Sequence, residues 1–582
     1  MNTTINNVTE MFLSIITVQI FVVIASSLSG LVNGLIIGNY LSQTAMAALG
    51  LVIPMTSFLA GISTIVSGGA GILCGNYMGR GDKKKINQVY SSSIIMLVVV
   101  GIVLTVIGIV FAEPLAYLFG ATSETVLDTA IYIRGISIGT IPTLLLPCII
   151  VFLQMCNKST FSLILTILMA VFNALFCLVD IHMLNGNIFG IGIATSLSKY
   201  ATLLIALIYL QKHKELIEFK MNLFDKRMVL DITRIGSPSS LAGILYSIRN
   251  VFINKFAAAT AGTIAVNSLA ILSSCGGFFD AFNIGVISTI TMLASVFIGE
   301  KDSDSLKKLI KTACIIGLSF AFIKLVVVYT FGRNIVMAFG ADGIVADSAT
   351  RLLQLYTWSA PLNIITGALV GINQNLGRVS FCNIMYMFNC IITPLLCCVF
   401  LSRYIGIDGV YSCYYIAEIV TISIIYCVSC IKSKKLITNI NDLFSLDKSL
   451  NNKEKYSMTI RNIDDVINLS EKIEEFLKMH GIDNRRAMFA GLCMEEMSGN
   501  VVDHGFIKDN KENTVDAFVH VENDEITLRL RDNCVPFDPN SRKDIVDPED
   551  PCKNIGIRMI SKIAKEMNYQ STFGMNVLTI KL

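Results

Sequence analysis

Charged residues are scarce in this chain. Aspartate, glutamate, lysine and arginine make up only 15 % of its 582 residues, whereas 53 % are hydrophobic. Because soluble domains carry roughly 25 % charged residues, this composition excludes an ordinary soluble protein and predicts that most of the chain lies in lipid. The charges are also divided, with 16 basic and 22 acidic residues in 457–582 and 30 basic and 21 acidic residues before them. Neither part has the composition expected of a nucleic-acid-binding protein.

Three further patterns are missing. Residues 1–9 contain no lysine or arginine, so we expect no cleavable secretory signal. Neither GxxxxGKS nor GxxxxGKT occurs, so a P-loop site that hydrolyses ATP is not expected. The 16 cysteines do not indicate a disulfide framework or a metal site, because several lie in apolar runs, where cysteine behaves as a small hydrophobic residue.

Long apolar runs dominate what is present. A run of about 20 residues is long enough to cross the hydrocarbon core of a bilayer, about 30 Å thick. Twelve such runs occur, at 14–37, 47–75, 91–112, 128–154, 160–181, 189–210, 237–257, 264–298, 312–331, 346–371, 379–401 and 405–430. The sequence therefore predicts an all-α polytopic membrane protein with 12 transmembrane helices.

Short matching segments recur in the two halves of this region. Three pairs lie 216 residues apart: Asn157 and Asn373, Phe172-Asn173 and Phe388-Asn389, and Gly190-Ile191 and Gly406-Ile407. A fourth pair, Gly-Arg-Gly-Asp at 79–82 and Gly-Glu-Lys-Asp at 299–302, is 220 residues apart. Many secondary transporters build a central site between two such repeats. We therefore predict a six-helix bundle at 1–215, a second at 216–432, and a polar linker at 433–456.

The basic loop residues predict the orientation. Loops that follow even-numbered helices hold 16 lysines and arginines, whereas the other loops hold only Arg333 and Arg403. Because basic loops remain on the cytoplasmic side, both termini are expected in the cytoplasm, together with everything after the last helix.

The membrane half resembles the multidrug and toxic compound extrusion (MATE) family. The resemblance rests on segments 32–40, 47–51, 79–82 and 172–180, which follow one another in the family's order within about residues 1–432. It implies a V-shaped pair of six-helix bundles in the plasma membrane. It also implies export of small organic or xenobiotic substrates by alternating access, driven by a Na⁺ or H⁺ gradient.

Ionisable residues inside the spans are candidates for the cation and substrate pathway, because a charge at membrane depth is costly. Asp180 follows Asn173 by seven residues, which places both on one helix face, although Asp180 could also lie near the membrane surface. Asp280 is predicted either to bind a cation or to pair with Arg249. Lys324 and Glu418 are also charged within spans.

Asn33 departs from the family pattern, since proton-coupled relatives carry an aspartate in the first helix. An amide can coordinate Na⁺ or bond a substrate, but it cannot release a proton. This shifts weight from a proton relay toward a site near Asp280. The alternative is that Asn33, Asn173, Asn373 and Asn389 hold helices together, as buried amides in lipid commonly do.

The last part of the chain, 457–582, changes to short strands and amphipathic helices, which indicates an α+β cytoplasmic domain. Segments 494–505, 531–539 and 554–560 resemble the N box and two glycine boxes of the GHKL ATP-binding fold, an α/β sandwich, closest to the anti-sigma-factor serine kinases. The resemblance implies ATP and Mg²⁺ as cofactors.

In that resemblance, Glu496 is the catalytic base, Asn500 holds Mg²⁺, Asp532 accepts from the adenine amino group and the backbone at Gly556 approaches phosphate. Glu496 and Asn500 are four residues apart, so both project from one face of a helix. Cys534 replaces a glycine of the first box, and the second box has fewer glycines than in relatives, which weakens the case for phosphoryl transfer.

The sequence therefore predicts a cation-coupled exporter with a cytoplasmic ATP-binding regulatory domain. Two alternatives stay open. One is a flippase for lipid-linked or polysaccharide precursors. The other is a membrane-anchored serine kinase that signals to a cytoplasmic regulatory protein.

The orientation can be tested by cysteine labelling in a cysteine-free background. A cysteine at Gly120 should react with an impermeant reagent from outside the cell, and one at Glu215 only after permeabilisation, because the basic loops remain inside. The reverse pattern of labelling would contradict the predicted topology.

Overall fold

The structure is a computed structural model that describes residues 7–41, 43–184, 186–213, 217–338, 342–434, 455–506, 513–522, 524–541 and 555–582. Most of the predicted linker lies outside these residues, as does the start of the second glycine box at Asn554.

Helices form the whole membrane half, apart from short connections. Within the described residues, eleven helices are long and apolar enough to cross a membrane. The bent pair Val126–Ile138 and Thr140–Met155 raises this to as many as twelve, which confirms the predicted fold class. The helices are α1 Asn7–Tyr40, α2 Gln43–Leu51, α3 Ile53–Arg80, α4 Lys83–Val110, α5 Ala112–Leu118, α6 Val126–Ile138, α7 Thr140–Met155, α8 Ser159–Met183, α9 Ile188–Lys212, α10 Lys226–Gly299, α11 Ser303–Ala338, α12 Gly343–Thr357, α13 Ser359–Asn375, α14 Val379–Met387, α15 Thr393–Ile405, α16 Ile407–Tyr411 and α17 Cys413–Ser433. The backbone of α10 is not helical at Ala261 and Gly262, so α10 is two helices joined at a kink and supplies two of the spans.

The loops at 79–82 and 299–302, here called the paired loops, have the same local structure. Gly81 and Lys301 adopt left-handed backbone angles that end α3 and α10. Asp82 then accepts a hydrogen bond from the Lys85 amide and Asp302 from the Ser305 amide, which caps the next helix. The match at an offset of 220 residues is therefore confirmed in three dimensions.

The match of Asn157 with Asn373 is wrong. Asn157 ends its helix with a φ of 60°, and the residue that does so in the other half is Gly377, with a φ of 73°. The two loops correspond at the same 220-residue offset as the paired loops, because a left-handed residue ends the helix in both. Asn373 lies one turn earlier, inside α13.

Two lobes, α1–α9 and α10–α17, meet through α3 and α10. A side chain at Gly79 would overlap the Val296 carbonyl oxygen, and one at Gly299 would overlap the Asn76 carbonyl, so the backbones touch at this end. The lobes therefore pack tightly at the end that carries the paired loops, here called the tail face, and a cavity lies between them in the membrane half.

The C-terminal domain, here called the tail domain, is a five-stranded antiparallel sheet covered on one side by helices. Its elements are β1 Lys455–Ile460, α18 Ile463–Met479, α19 Asn484–Gly505, β2 Val515–Glu522, β3 Glu525–Asp532, α20 Ile555–Ile563, β4 Glu566–Thr572 and β5 Met575–Lys581, with strand order β1-β2-β3-β5-β4. The predicted hairpin is confirmed, because β2 pairs antiparallel with β3.

Strand alternation divides the two sides of this sheet. Val519, Leu528 and Ile580 are buried against α18 and α19 in a hydrophobic core that belongs to the tail domain alone. The intervening residues, such as Arg529 and Arg531, project from the opposite side. That polar side lies on the tail face of the membrane half.

Candidate functional site

A cavity of about 600 Å³ lies between the two lobes. Its wall is mainly apolar, with a few hydroxyl and amide groups. Gln154 accepts a hydrogen bond from Gln19 at 3.0 Å, and Gln374 donates to Ser239 at 3.0 Å. An apolar cavity with a few placed polar groups is typical of small-molecule sites.

Lys199 is the one lysine, arginine, aspartate or glutamate among the described residues that line this cavity. Its Nζ donates to Thr143 Oγ1 at 2.9 Å. The sequence analysis missed this residue. The signal was present, because Lys199 is a single basic residue in the middle of the apolar run 189–210.

The structure brings Asn33 and Asn173 together in lobe one, away from the lining of the cavity. Asn173 Nδ2 donates to Asn33 Oδ1 at 2.7 Å, and Asn33 Nδ2 donates to Thr195 Oγ1 at 3.4 Å. These bonds tie α8, α1 and α9 to one another. This is the geometry expected of helix-packing amides.

Asp180 lies at the end of α8 and is buried. Its carboxylate packs against the backbone of Gly186 and Gly190, where a side chain would overlap it. Its Oδ2 atom has no hydrogen-bond partner among the described residues. The Asp180 carboxylate therefore packs on the start of α9, and Asp180 lies three residues from the end of its own helix.

Asp280 in lobe two has two partners. Lys324 Nζ lies 3.1 Å from Asp280 Oδ1, and the Tyr356 hydroxyl donates to Oδ2 at 2.5 Å. The ion pair therefore forms with Lys324 and not with Arg249. Because Lys324 already neutralises it, Asp280 has less need of a bound cation.

Glu418 has a different environment, although it lies in the same lobe. Its carboxylate is 5 % exposed and accepts from Asn363 Nδ2 at 2.9 Å and from Thr366 Oγ1 at 2.5 Å, both neutral donors. A side cavity of about 200 Å³ reaches it and shares Ser288 and Gly367 with the wall of the central cavity.

A π-helical turn at Phe388–Ile392 forms another wall of this side cavity. It places Asn389, one of the repeat-matched asparagines, in the lining beside Glu418. π-helical turns are rare in proteins, and those that occur are often found at functional sites. Glu418 is therefore the membrane carboxylate that is best placed to communicate with the central cavity.

In the tail domain, the structure brings Glu496, Asn500 and Gly556 together. Asn500 Nδ2 donates to Glu496 Oε1 at 3.1 Å, and the Glu496 carboxylate packs so closely on Gly556 that a side chain there would overlap it. Among the described residues, no group of three His, Cys, Asp or Glu could hold a metal. Mg²⁺ commonly uses one or two protein oxygens plus substrate phosphates, and Asn500 with Glu496 offers such oxygens.

Asp532 lies at the end of β3 and is buried. Its Oδ1 accepts from Asn576 Nδ2 at 2.8 Å and from the Cys534 amide at 3.0 Å. Burial raises the pKa of the Asp532 carboxyl above its ordinary value. Cys534 packs against Gly505 at the end of α19, so the N-box helix is in contact with the first glycine-box segment.

Comparisons with known proteins agree with this architecture. The MatE family profile matches residues 19–179 and 238–399, and that of the histidine kinase-like ATPase domain matches 461–582. The multidrug export protein MepA of Staphylococcus aureus (strain bovine RF122 / ET3-1) is 25 % identical over 398 residues, 68 % of this chain and 87 % of MepA.

Two solved structures share the fold of the membrane half. A crystal structure of MATE in complex with MaD3S aligns with a TM-score of 0.69 at 18 % identity, over 76 % of this chain and 98 % of that one. An outward-facing multidrug resistance MATE family transporter of the MOP superfamily aligns with a TM-score of 0.67 at 17 % identity, over 72 % and 94 %. The two family matches and the two-lobed fold agree: the chain belongs to the MATE family of membrane transporters and carries a C-terminal histidine kinase-like ATPase domain.

Proposed function

We propose that this protein exports small organic compounds across the plasma membrane by alternating access, driven by a cation gradient. The cavity between the two lobes is the observation that carries this proposal, because both repeats contribute to its wall. The basic loops support a cytoplasmic position for the tail face. The export function of MepA supports the direction of transport.

Glu418 and Asp180 are the proposed coupling groups. A buried carboxylate in the membrane is costly when charged, so Na⁺ or H⁺ binding there stabilises the lobe that contains it. Because the Glu418 side cavity adjoins the central cavity, an ion in one and a substrate in the other change each other's affinity. Asp280 is proposed to orient Lys324 and Tyr356 rather than to bind the ion.

Lys199 supports a substrate class. Its ammonium lies in a mainly apolar cavity whose described lining offers it no carboxylate, and charges attract strongly where water is scarce. The apolar wall favours a hydrophobic ring system. We therefore propose amphipathic compounds with an anionic group as preferred substrates.

The tail domain is proposed to bind ATP and to regulate transport. In this proposal, Asn500 holds Mg²⁺, the Gly556 backbone approaches phosphate and Asp532 accepts a hydrogen bond from adenine; the contact of Glu496 with both Asn500 and Gly556 supports it. If Mg-ATP binds, Asn500 and Glu496 would offer oxygens to the metal ion, and the metal ion would offset the charge of the phosphates. The energy for transport comes from the gradient, so hydrolysis is not required for the cycle.

The coupling proposal predicts that Glu418→Gln and Asp180→Asn slow gradient-driven efflux from proteoliposomes by about 5- to 150-fold, the range of a typical coupling free energy. Separate Na⁺ and H⁺ gradients identify the ion. Glu113→Gln is the matched control, because Glu113 is an exposed carboxylate paired with Arg134. Wild-type rates in both variants would remove the case for these sites.

The substrate proposal predicts that the protein exports fluorescein, an anion, faster than rhodamine, a cation with the same ring system. Lys199→Gln should lower fluorescein efflux by about tenfold and leave rhodamine efflux nearly unchanged, since it removes one charge-assisted contact. Lys212→Gln, on the exposed end of the same helix, is the control. Faster transport of rhodamine by the wild type would exclude an anionic substrate class.

The tail proposal predicts that Asn500→Ala weakens ATP binding by about tenfold only when Mg²⁺ is present, because Asn500 is assigned to the metal. Asp532→Asn should weaken ATP and ADP alike, since both share adenine. Calorimetry on the full chain measures this, with Asp464→Asn, at an exposed position in α18, as control. A folded chain that binds no nucleotide would leave the tail as an interaction domain.

A further inference from the structure

The polar side of the tail-domain sheet holds both lobes at once. In lobe two it contacts the paired loop at 299–302. Arg531 Nη2 lies 2.9 Å from Asp302 Oδ2, and Lys455 Nζ lies 2.7 Å from Asp302 Oδ1. Glu300 adds a second carboxylate, 3.7 Å from Arg531 and 3.9 Å from Arg529.

These charges are almost completely buried. Arg531 is 1 % exposed and Asp302 is 2 % exposed. Burial would raise the pKa of Asp302, but Lys455 and Arg531 hold it well below its ordinary value. The Arg531 guanidinium also lies over Phe518 of the tail and Phe297 of lobe two.

The same side of the sheet contacts lobe one. Arg529 donates to the Gly79 carbonyl and Asn568 to the Gly81 carbonyl, both in the other paired loop. Gln570 Nε2 donates to the Met78 carbonyl at 2.7 Å. One sheet therefore forms hydrogen bonds with both paired loops. The single side chain of Arg529 contacts the Gly79 carbonyl of lobe one and the Glu300 carbonyl of lobe two.

This arrangement opposes separation of the lobes at the tail face. A hydrogen-bonded sheet is stiff, so it cannot follow two loops that move apart. Breaking a buried ion pair and leaving one partner without a counter-charge is strongly unfavourable. Opening the cavity toward the tail face therefore requires the sheet to release at least one paired loop.

Asp532, the proposed adenine contact, lies between Arg531 and Asn533, which form hydrogen bonds with different lobes. Arg531 holds Asp302 of lobe two, and Asn533 Nδ2 donates to Glu10 Oε2 in α1 of lobe one at 3.1 Å. A ligand that shifts the backbone at Asp532 also shifts these two neighbours, which are bonded to it in the chain. Residues 531–533, at and just beyond the end of β3, therefore connect the proposed adenine contact with both lobes.

We propose that the tail domain is a nucleotide-sensitive clasp that holds the tail face closed, and that nucleotide at Asp532 shifts the balance between clasped and released states. The clasp rests on the proposed alternating access, and its sensitivity rests on the proposed ATP site. By linkage, release of the clasp must change nucleotide affinity by the same factor as nucleotide changes release.

Two pairs of spin labels test the clasp in the full chain. Labels at the exposed Lys84 and Lys308 report lobe separation at the tail face, and labels at Lys308 and the exposed Lys472 report tail docking. Glu300→Gln with Asp302→Asn removes both carboxylates, while asparagine can still cap α11. We expect both distances to lengthen, with at least about a tenfold rise in the separated population.

Asp304→Asn is the matched control. Asp304 is an exposed carboxylate in the same turn, and its Oδ1 atom lies 3.9 Å from Lys307 Nζ. This variant should leave both distances as in the wild type. A tail that stays docked in the double variant shows that the carboxylates do not hold it. A tail that leaves while the lobes stay together shows that it is no clasp. Either result overturns the proposal.

Mg-ATP added to the wild type should change the separated population, and Asp532→Asn should abolish that response. ATP that binds by calorimetry without changing either distance overturns the nucleotide sensitivity but not the ATP site. Absence of ATP binding overturns both, whereas the carboxylate variants still decide whether the clasp exists. Loss of transport with intact distances would count against the proposed function alone.

Discussion

Helices α3 and α10 approach each other near Gly79 and Gly299 until the backbone of one touches that of the other. This contact is possible only without side chains, and it has three consequences. It closes the tail face, it leaves the central cavity between the lobes, and it sets the two paired loops side by side. One small sheet can then contact both loops. A larger residue at either position would separate the loops and remove the surface on which the tail domain lies.

The tail domain depends on that surface in a second way. Arg529 and Arg531 lie on the polar side of an amphipathic strand and would be solvated if the domain stood alone. Against the paired loops they lose that water, and Glu300 and Asp302 compensate. Buried pairs of this kind add little net stability, but breaking one is costly. These ion pairs therefore contribute less to net stability than to the orientation of the tail domain on the membrane half.

The membrane carboxylates differ because their neighbours differ. Asp280 has a lysine within 3.1 Å, whereas Glu418 accepts hydrogen bonds from the neutral side chains of Asn363 and Thr366. The lysine supplies a counter-charge for Asp280, and this contrast is why we propose Glu418 rather than Asp280 as a coupling group. The two residues are equally conspicuous in the sequence, so only their surroundings distinguish these two proposed roles.

The sequence determined the features that depend on local pattern. Apolar runs determine the number of spans, strand alternation gives the β2–β3 hairpin, and a spacing of four places Glu496 beside Asn500. Helix-ending residues define how the two repeats align. The 216-residue offset wrongly matched Asn157 with Asn373, whereas the helix-ending residue that corresponds to Asn157 is Gly377. Only the tertiary structure decided that Lys199 lies in the cavity, that Lys324 rather than Arg249 pairs with Asp280, and that Arg531 is buried. Periodicity fixes the direction in which a side chain points, but what it meets there depends on helices and loops hundreds of residues away.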